Sequence, residues 1–155
     1  RIIVSTDSYE IAKVAKDWKA DVPFIRPSHL ATDDATSVNV VLHAVDKLKE
    51  QREYFDYVLL LQPTSPLRTT EDIDSAFKLL ENSNSDAVIS VCETEHNPLM
   101  NNTLPEDLSL SGFLDQSIIN KRSQALDKYY KINGAIYICE INKLRNERTF
   151  FIKDK

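Results

Sequence analysis

The fold of this chain is decided at residues 59–69, which read Leu-Leu-Leu-Gln-Pro-Thr-Ser-Pro-Leu-Arg-Thr. A continuous apolar run is typical of a strand that is buried on both faces, so residues 57–61 are predicted to form a central strand. Pro63 and Pro66 fix their own φ angles and bias the residue before each of them toward an extended conformation. The strand is therefore predicted to end in a stiff, polar loop.

A helix is predicted to begin directly after this loop, over residues 70–81. Thr69 is expected to cap it, and Asp72 is placed to complete a capping box. Gln62 and Ser65 then lie on a rigid loop at the carboxyl end of a buried strand, where open α/β sheets bind ligands. The alternative interpretation is a plain turn between strand and helix, since prolines are common in such turns.

Strands and helices alternate at short intervals through most of the chain. Helices are predicted after an Asp7 cap through residue 15, over 36–51 and over 70–81. Strands are predicted at residues 2–4, 22–25, 57–61, 86–91 and 133–139, with another beginning at 150–152. This alternation indicates an α/β fold with a mainly parallel sheet that is covered by helices on both faces.

Composition limits the classes of function. The 155 residues fit a single domain, 42% of them are hydrophobic, and no apolar run approaches the length of a membrane span. The net charge of -5 argues against non-specific nucleic-acid binding. Cys92 and Cys139 lie in apolar runs and are interpreted as buried free thiols in a reducing compartment. We therefore expect a cytoplasmic protein with neither membrane nor nucleic acid as a partner.

Glycine is scarce, because the chain has only Gly112 and Gly134. Average usage predicts roughly eleven glycines at this length. The chain therefore has no Gly-rich loop of the kind that usually holds phosphates after a first strand. It also starts at Arg1 inside a strand-like run, and we expect residues 1–155 to be an incomplete single domain from a longer enzyme.

Residues 97–128 interrupt the alternation with a polar, irregular segment, here called the excursion. A hairpin is predicted within it at residues 108–114. A segment of this length in a compact domain is usually functional, so a subunit interface or an active-site lid is expected. A solvated hairpin is the alternative.

The polar residues indicate recognition more than covalent catalysis. Ser65 has no histidine nearby in sequence, no His or Cys cluster has zinc spacing, and His43 is interpreted as a structural residue of its helix. His96 could serve a site or the surface equally well, and the acidic pair at 33–34 is expected to cap a helix rather than bind metal. The remaining candidates supply amide, hydroxyl and guanidinium groups: Arg26, Ser37, Gln62, Ser65, Arg122, Gln124, Asn133 and Tyr137. Such groups suit nucleotidyl or phosphoryl transfer assisted by Mg²⁺, in which positioning and electrostatics dominate.

Six segments together resemble the acylneuraminate cytidylyltransferases, the CMP-sialic acid synthetases. They are residues 4–8 (Val-Ser-Thr-Asp-Ser), 22–27 (Val-Pro-Phe-Ile-Arg-Pro), 30–33 (Leu-Ala-Thr-Asp), 61–68, 86–91 and 133–138 (Asn-Gly-Ala-Ile-Tyr-Ile). Each segment alone is a weak signal, but their order and spacing cover nearly the whole chain and are specific.

The resemblance implies a Rossmann-like nucleotidyltransferase fold with a protruding dimerisation excursion, usually in a homodimer. It implies that CTP and a nine-carbon 2-keto sugar acid react with Mg²⁺ bound, giving the CMP-sugar and pyrophosphate. Sialic-type acids such as N-acylneuraminate, legionaminate or pseudaminate are expected, because the related Kdo enzymes have an Asp where this chain has Thr64. The family's Gly-rich loop and its metal-binding Asp segment have no match here. Catalytic residues and metal ligands are therefore expected outside this chain, and the chain alone is expected to be inactive.

The resemblance also assigns roles to individual residues. Arg26 and Ser37 are placed on the nucleotide side, and Gln62, Ser65, Asn133 and Tyr137 on the sugar side. Phe150 and Phe151 match an aromatic pair that packs the N-acyl group, although plain core packing explains them equally well. Arg122 and Gln124 lie in the excursion and would reach the partner's active site. Two alternatives stay open, namely a non-catalytic module for binding or assembly and a nucleotidyltransferase for another base or sugar.

Overall fold

The structure is a computed structural model that describes residues 1–152. Within this range the chain forms four α-helices and three β-strands, with short 3-10 turns in the connections. In chain order these elements are α1 (Tyr9–Asp17), α2 (Ser37–Glu50), β1 (Tyr57–Leu60), α3 (Thr70–Ser83), β2 (Ala87–Glu93), β3 (Tyr130–Glu140) and α4 (Ile141–Glu147). The predicted α/β class is confirmed.

The strands form one sheet in the order β1–β3–β2, and β3 runs antiparallel to both of its neighbours. Since β1 and β2 both oppose β3, they run parallel to each other, with α3 connecting them. The predicted mainly parallel sheet is wrong for the described residues, because β3 is inserted in the opposite direction between two parallel strands. The apolar pattern of a strand reports its burial and not its direction, so the insertion left no signal in the sequence.

The sheet is covered on both faces, as predicted. On one face, α2 and α4 pack through Val41, Leu42 and Leu144 against side chains of all three strands, Cys139 among them. On the other face, Leu80 of α3 packs with Ile136 and Ile138 of β3. Successive residues of β1 alternate between the two clusters, so β1 is buried from both sides as its unbroken apolar run indicates.

The predicted capping box at the start of α3 is confirmed. The Asp72 amide donates to Thr69 Oγ1 at 3.2 Å, and the Thr69 amide donates to Asp72 Oδ2 at 2.8 Å. Helix α2 begins after its Thr36 cap, within one residue of the prediction. The two hydrogen bonds of the α3 capping box satisfy backbone donors that would otherwise be unpaired, and they fix the direction in which the chain leaves the polar loop.

Two predicted caps are wrong. The α1 cap is Ser8, whose Oγ accepts a hydrogen bond from a backbone N–H of the helix, while Asp7 turns its carboxylate toward Arg26. The acidic pair at 33–34 is exposed in a turn and does not cap α2, because Thr36 stands closer to the helix start.

Three predicted strands do not form within residues 1–152. Residues 2–4 form only a single parallel bridge, between Ile3 and Asp21, and Asp21 lies just before the predicted strand at 22–25. Residues 150–152 form no strand, and any continuation lies outside the described residues. A strand needs a paired neighbour for its backbone groups, and in this part of the chain no neighbour beyond that bridge reaches these segments. Helix α4, which is only 7 residues long, is not predicted from the sequence.

The excursion contains no strand pair, so the predicted hairpin at 108–114 is wrong. Two 3-10 turns, Pro98–Met100 and Ser123–Ala125, and a series of tight turns occupy it instead. Leu108 and Gly112 adopt left-handed φ angles of 56° and 76°. Two left-handed residues only four positions apart leave too little extended backbone between them for the paired strands of a hairpin.

None of the helices among residues 1–152 combines the length and the apolar character that crossing a membrane requires.

Candidate functional site

The loop after β1 is packed against the backbone of β3 at Gly134. This glycine has a φ of +73°, and a Cβ atom added there would lie 2.6 Å from Gln62 Oε1. A side chain at this position would be strained by the left-handed backbone and would also collide with the Gln62 amide. Gly134 is therefore the residue that allows the Gln62 side chain to lie directly on β3.

Two polar side chains fasten the loop to β3. Ser65 Oγ donates to the Asn133 carbonyl at 3.1 Å. The half-buried Arg68 donates through Nη1 to the Gln62 carbonyl at 2.9 Å and to the Ala135 carbonyl at 3.0 Å. A guanidinium that bridges two carbonyls has little freedom to move, so it fixes the separation between the loop and the strand. We call residues 62–68 and 133–135 together the corner.

A groove of about 630 Å³ opens beside the corner, between α3 and β2. Ser65, Arg68 and Asn133 line its polar side, and Leu79 and Val91 contribute to its apolar side. Such a mixture of apolar surface with a few convergent polar groups is typical of small-molecule sites.

The corner can bind and orient a ligand, but it offers no general base. Its polar groups are the amides of Gln62 and Asn133, the hydroxyls of Thr64 and Ser65, the guanidinium of Arg68 and the backbone amides and carbonyls. At neutral pH none of these side chains readily accepts a proton from a reacting hydroxyl. The arrangement therefore favours recognition and positioning over proton transfer or covalent catalysis.

Arg26 lies in a separate part of the structure, beside the chain that leads into α1. Its amide donates to the Thr6 carbonyl at 2.8 Å, and its Nη2 lies 3.4 Å from Asp7 Oδ1. Its Nε atom is buried and has no hydrogen-bond partner among residues 1–152. Ser37 is the exposed first residue of α2. Among residues 1–152, no hydrogen bond connects Arg26 or Ser37 with Gln62. The nucleotide-binding role of Arg26 and Ser37 therefore stays a prediction.

The three aromatic candidates separate into buried and exposed positions. The rings of Tyr137 and Phe150 lie 5.4 Å apart, and Phe150 belongs to the core beneath α2. Phe151 is 55% exposed. Phe150 thus has a packing role whatever else it does, and the assignment of both phenylalanines to an acyl group stays a prediction.

Arg122 and Gln124 are exposed at the last 3-10 turn of the excursion. Within residues 1–152 neither side chain forms a hydrogen bond or ion pair with the corner. The role that the resemblance gives them is in a partner's site, and it stays a prediction.

Burial shifts the pKa values of Cys139, in the core, and of the partly buried His43. It raises the pKa of the Cys139 thiol to about 11, so this thiol is protonated and unreactive at neutral pH. It lowers the pKa of His43, whose ring nitrogens are buried and have no hydrogen-bond partner in the described part of the chain. His43 lies in α2 with its ring edge-on to Phe24 at 5.0 Å, which confirms the structural role predicted for it.

No three His, Cys, Asp or Glu side chains among residues 1–152 are placed to hold a metal ion together. Magnesium is commonly held by one or two carboxylates together with substrate phosphates, so the ion that the resemblance implies stays a prediction.

The sequence predicts Gln62, Ser65 and Asn133 as site residues, and the structure brings these three together. Arg68 and Ser90, which hold them in place, are not among the residues predicted from the sequence. Arg68 lies within the quoted stretch 59–69, and Ser90 is the one hydroxyl in an otherwise apolar strand segment at 87–92. A lone polar residue in a buried strand needs a hydrogen-bond partner, and that requirement could have singled out Ser90.

The chain is similar to known proteins over most of its length. A family model described as "Cytidylyltransferase" matches residues 1–140. A CMP-N,N'-diacetyllegionaminic acid synthase of Legionella pneumophila is 33% identical over 153 residues, which are 97% of this chain and 64% of that protein. A pseudaminic acid cytidylyltransferase of Campylobacter jejuni is 29% identical over 136 residues, 88% of this chain and 58% of the relative. An N-acylneuraminate cytidylyltransferase of Escherichia coli is 33% identical over 153 residues, 97% of this chain and 35% of the relative. The chain thus spans less than two thirds of the length of these curated relatives.

Proposed function

The chain belongs to the cytidylyltransferase family, and from this premise we propose that the protein containing it transfers CMP from CTP to a sialic-type nonulosonic acid. N-acylneuraminate, legionaminate and pseudaminate are the candidate acids, since relatives named for all three match the chain. In the proposed reaction the anomeric hydroxyl oxygen of the acid bonds to the α-phosphorus of CTP. The bond to the bridging oxygen breaks, pyrophosphate leaves, and the hydroxyl proton passes to solvent or to a base outside the corner.

One observation carries the proposal, namely the close packing of Gln62 on Gly134. The side chain is held where the polar loop meets β3, next to Ser65 and Asn133 of the groove lining, and its amide can both donate and accept hydrogen bonds. A sugar acid offers hydroxyl, carbonyl and carboxylate oxygens, which such an amide and the neighbouring Asn133 can bind. Rigid placement of these groups would hold the anomeric hydroxyl in line with the phosphate.

The rest of the site is proposed in the same terms. Arg26 and Ser37 would serve the cytosine and ribose, and a Rossmann-like sheet would extend beyond the three described strands. The excursion would form a homodimer in which Arg122 and Gln124 reach the partner's corner. A divalent metal, expected to be Mg²⁺, would neutralise phosphate charge when bound. A cytoplasmic location fits the supply of CTP.

The test is an assay of the full-length protein with CTP and each of the three acids, measuring pyrophosphate and detecting the CMP-sugar by mass spectrometry. We expect pyrophosphate release that requires both substrates, with much less release when UTP or ATP replaces CTP. No release with any acid would overturn the proposal. Binding of CTP without turnover would instead favour a non-catalytic binding module.

A further inference from the structure

The pairing of β2 with β3 is interrupted beside the corner. Ile89 faces Tyr137 and Val91 faces Ile132, so Ser90 alone lies opposite residues 133–136 of β3. A ladder with one residue on one strand and four on the other cannot pair its backbone groups in the regular way. The side chain of Ser90 compensates, because its Oγ accepts a hydrogen bond from the Ile136 amide at 2.8 Å.

Ser90 also holds the side chain of Asn133. Its Oγ lies 2.6 Å from Asn133 Oδ1, and the backbone amide of Ala135 lies 3.0 Å from the same oxygen. A backbone N–H can only donate, so the atom that faces Ala135 must be the amide oxygen of Asn133. The single hydroxyl proton of Ser90 has the same oxygen as its nearest acceptor, since the Ile136 carbonyl is 3.2 Å away.

The oxygen of Asn133 is therefore turned inward, and its NH₂ group is turned away from β2. Asn133 is exposed, and within residues 1–152 no hydrogen bond uses its Nδ2 atom. Free asparagine presents a donor and an acceptor side by side. At this position two inward hydrogen bonds use the acceptor and leave only donors for a ligand.

We propose that Ser90 is a positioning residue that makes Asn133 a donor-only contact for an acceptor oxygen of the sugar acid. The proposal rests on the proposed function, because it assumes that the corner binds the acid. Ser90 need not touch the acid, since it acts by fixing which end of the Asn133 amide faces the groove.

The test compares the KM for the acid and the KM for CTP in the full-length protein and four variants. Ser90→Ala should raise the KM for the acid about fivefold, the usual effect of losing one net hydrogen bond, with the KM for CTP unchanged. Ser90→Thr keeps the hydroxyl and should restore the KM. Ser83→Ala is the matched control, because Ser83 Oγ donates to the Leu79 carbonyl at 2.6 Å in α3 and does not contact the corner.

Asn133→Asp is the second arm of the test and does not depend on how Ser90→Ala folds. A carboxylate keeps an inward acceptor for Ser90 and Ala135 but places an oxygen where the NH₂ group was. We expect an unchanged melting temperature and a KM for the acid raised more than tenfold.

Several outcomes would overturn the proposal. They are an unchanged KM for the acid in Ser90→Ala or in Asn133→Asp, a parallel rise of both KM values in Ser90→Ala, and failure of Ser90→Thr to restore the KM. These outcomes leave the proposed function intact, since the wild-type protein would still transfer CMP. A wild-type protein with no acid-dependent turnover would overturn the proposed function and this inference with it.

Discussion

At the scale of single residues, the corner depends on a glycine and on the side chains that it allows to approach. The chain has only two glycines, and both have positive φ angles, +76° at Gly112 and +73° at Gly134. The two differ in their surroundings, because a Cβ atom at Gly112 would have no neighbour within 4 Å. The pair therefore separates the effect of backbone strain from the effect of a collision with Gln62.

Replacing Gly134 with alanine should damage the site more than the fold. Both Gly134→Ala and Gly112→Ala should lower the free energy of unfolding by about 1 kcal/mol, the usual cost of a left-handed L-residue. Only Gly134→Ala should also raise the KM for the sugar acid, by at least about tenfold, because it displaces the Gln62 amide. Urea unfolding and steady-state kinetics of the two variants measure these effects. Equal KM values in both would show that the approach of Gln62 to β3 does not matter for binding.

At the scale of elements, the sequence predicted the parts whose signals are local. Helices α2 and α3 have caps and periodic apolar faces, and both were predicted closely. The antiparallel insertion of β3 was not, because strand pairing depends on residues distant in sequence and leaves no local pattern. The same difference between local signals and long-range pairing explains which parts of the site the sequence predicts. The loop at Gln62 and the segment at Asn133 could be recognised separately, while their tie through Ser90 appears only once the strands are paired.

Helix α2 carries a pH-sensitive contribution to stability at His43. Burial lowers the pKa of this imidazole, and the charges of Lys47 and His29 lower it further, while Asp46 and Glu50 act in the opposite direction. The unfolded chain therefore binds a proton more readily than the folded chain does. Stability is unaffected above the ordinary histidine pKa of about 6.5 and falls as the pH drops below it.

We expect the urea midpoint of the full-length protein to fall between pH 7.5 and pH 5.5, and to fall less in His43→Leu. Leucine is tolerated because the buried ring nitrogens have no hydrogen-bond partner among residues 1–152. His96→Ala is the matched control, because His96 is exposed just before the excursion. Its urea midpoint should fall on acidification as much as that of the wild type. The account of His43 would be wrong if His43→Leu lost as much stability on acidification as the wild type.

At the scale of the whole molecule, the excursion stands out because several of its leucines are exposed. Leu104, Leu108 and Leu110 are 61%, 71% and 66% exposed. Ordering a segment costs roughly 1–2 kcal/mol of backbone entropy per residue, so contacts must offset that cost. A second copy of the chain, burying the same leucines in an isologous interface, would supply them.

A double variant, Leu108→Asp with Leu110→Asp, should convert a dimer of the full-length protein into a monomer in analytical ultracentrifugation. Two charges in an apolar interface are left without partners, so dissociation should rise by several orders of magnitude. Trp18→Asp is the control, because Trp18 is 84% exposed at the end of α1, outside the excursion, and this variant should stay dimeric. A monomeric wild-type protein at working concentrations would contradict the proposed dimer.

The interface also makes a prediction about activity. If Arg122 serves the partner's corner, subunits with Arg122→Ala and subunits with Gln62→Ala should each be impaired alone. Mixed dimers would contain one composite site with both residues intact, so partial activity should return. No recovery after subunit exchange would place Arg122 outside the partner's site.

The kinetics of Gln62→Ala in the full-length protein test the central claim most directly, because this side chain packs where the polar loop meets β3. The account predicts a loss of roughly 10–100-fold in kcat/KM for the sugar acid, consistent with about 1–3 kcal/mol for a buried hydrogen bond. The KM for CTP should stay at its wild-type value. Gln51→Ala, at the exposed carboxyl end of α2, should leave both parameters unchanged. An unchanged kcat/KM for the acid in Gln62→Ala would contradict the assignment of the corner as the acid-binding site.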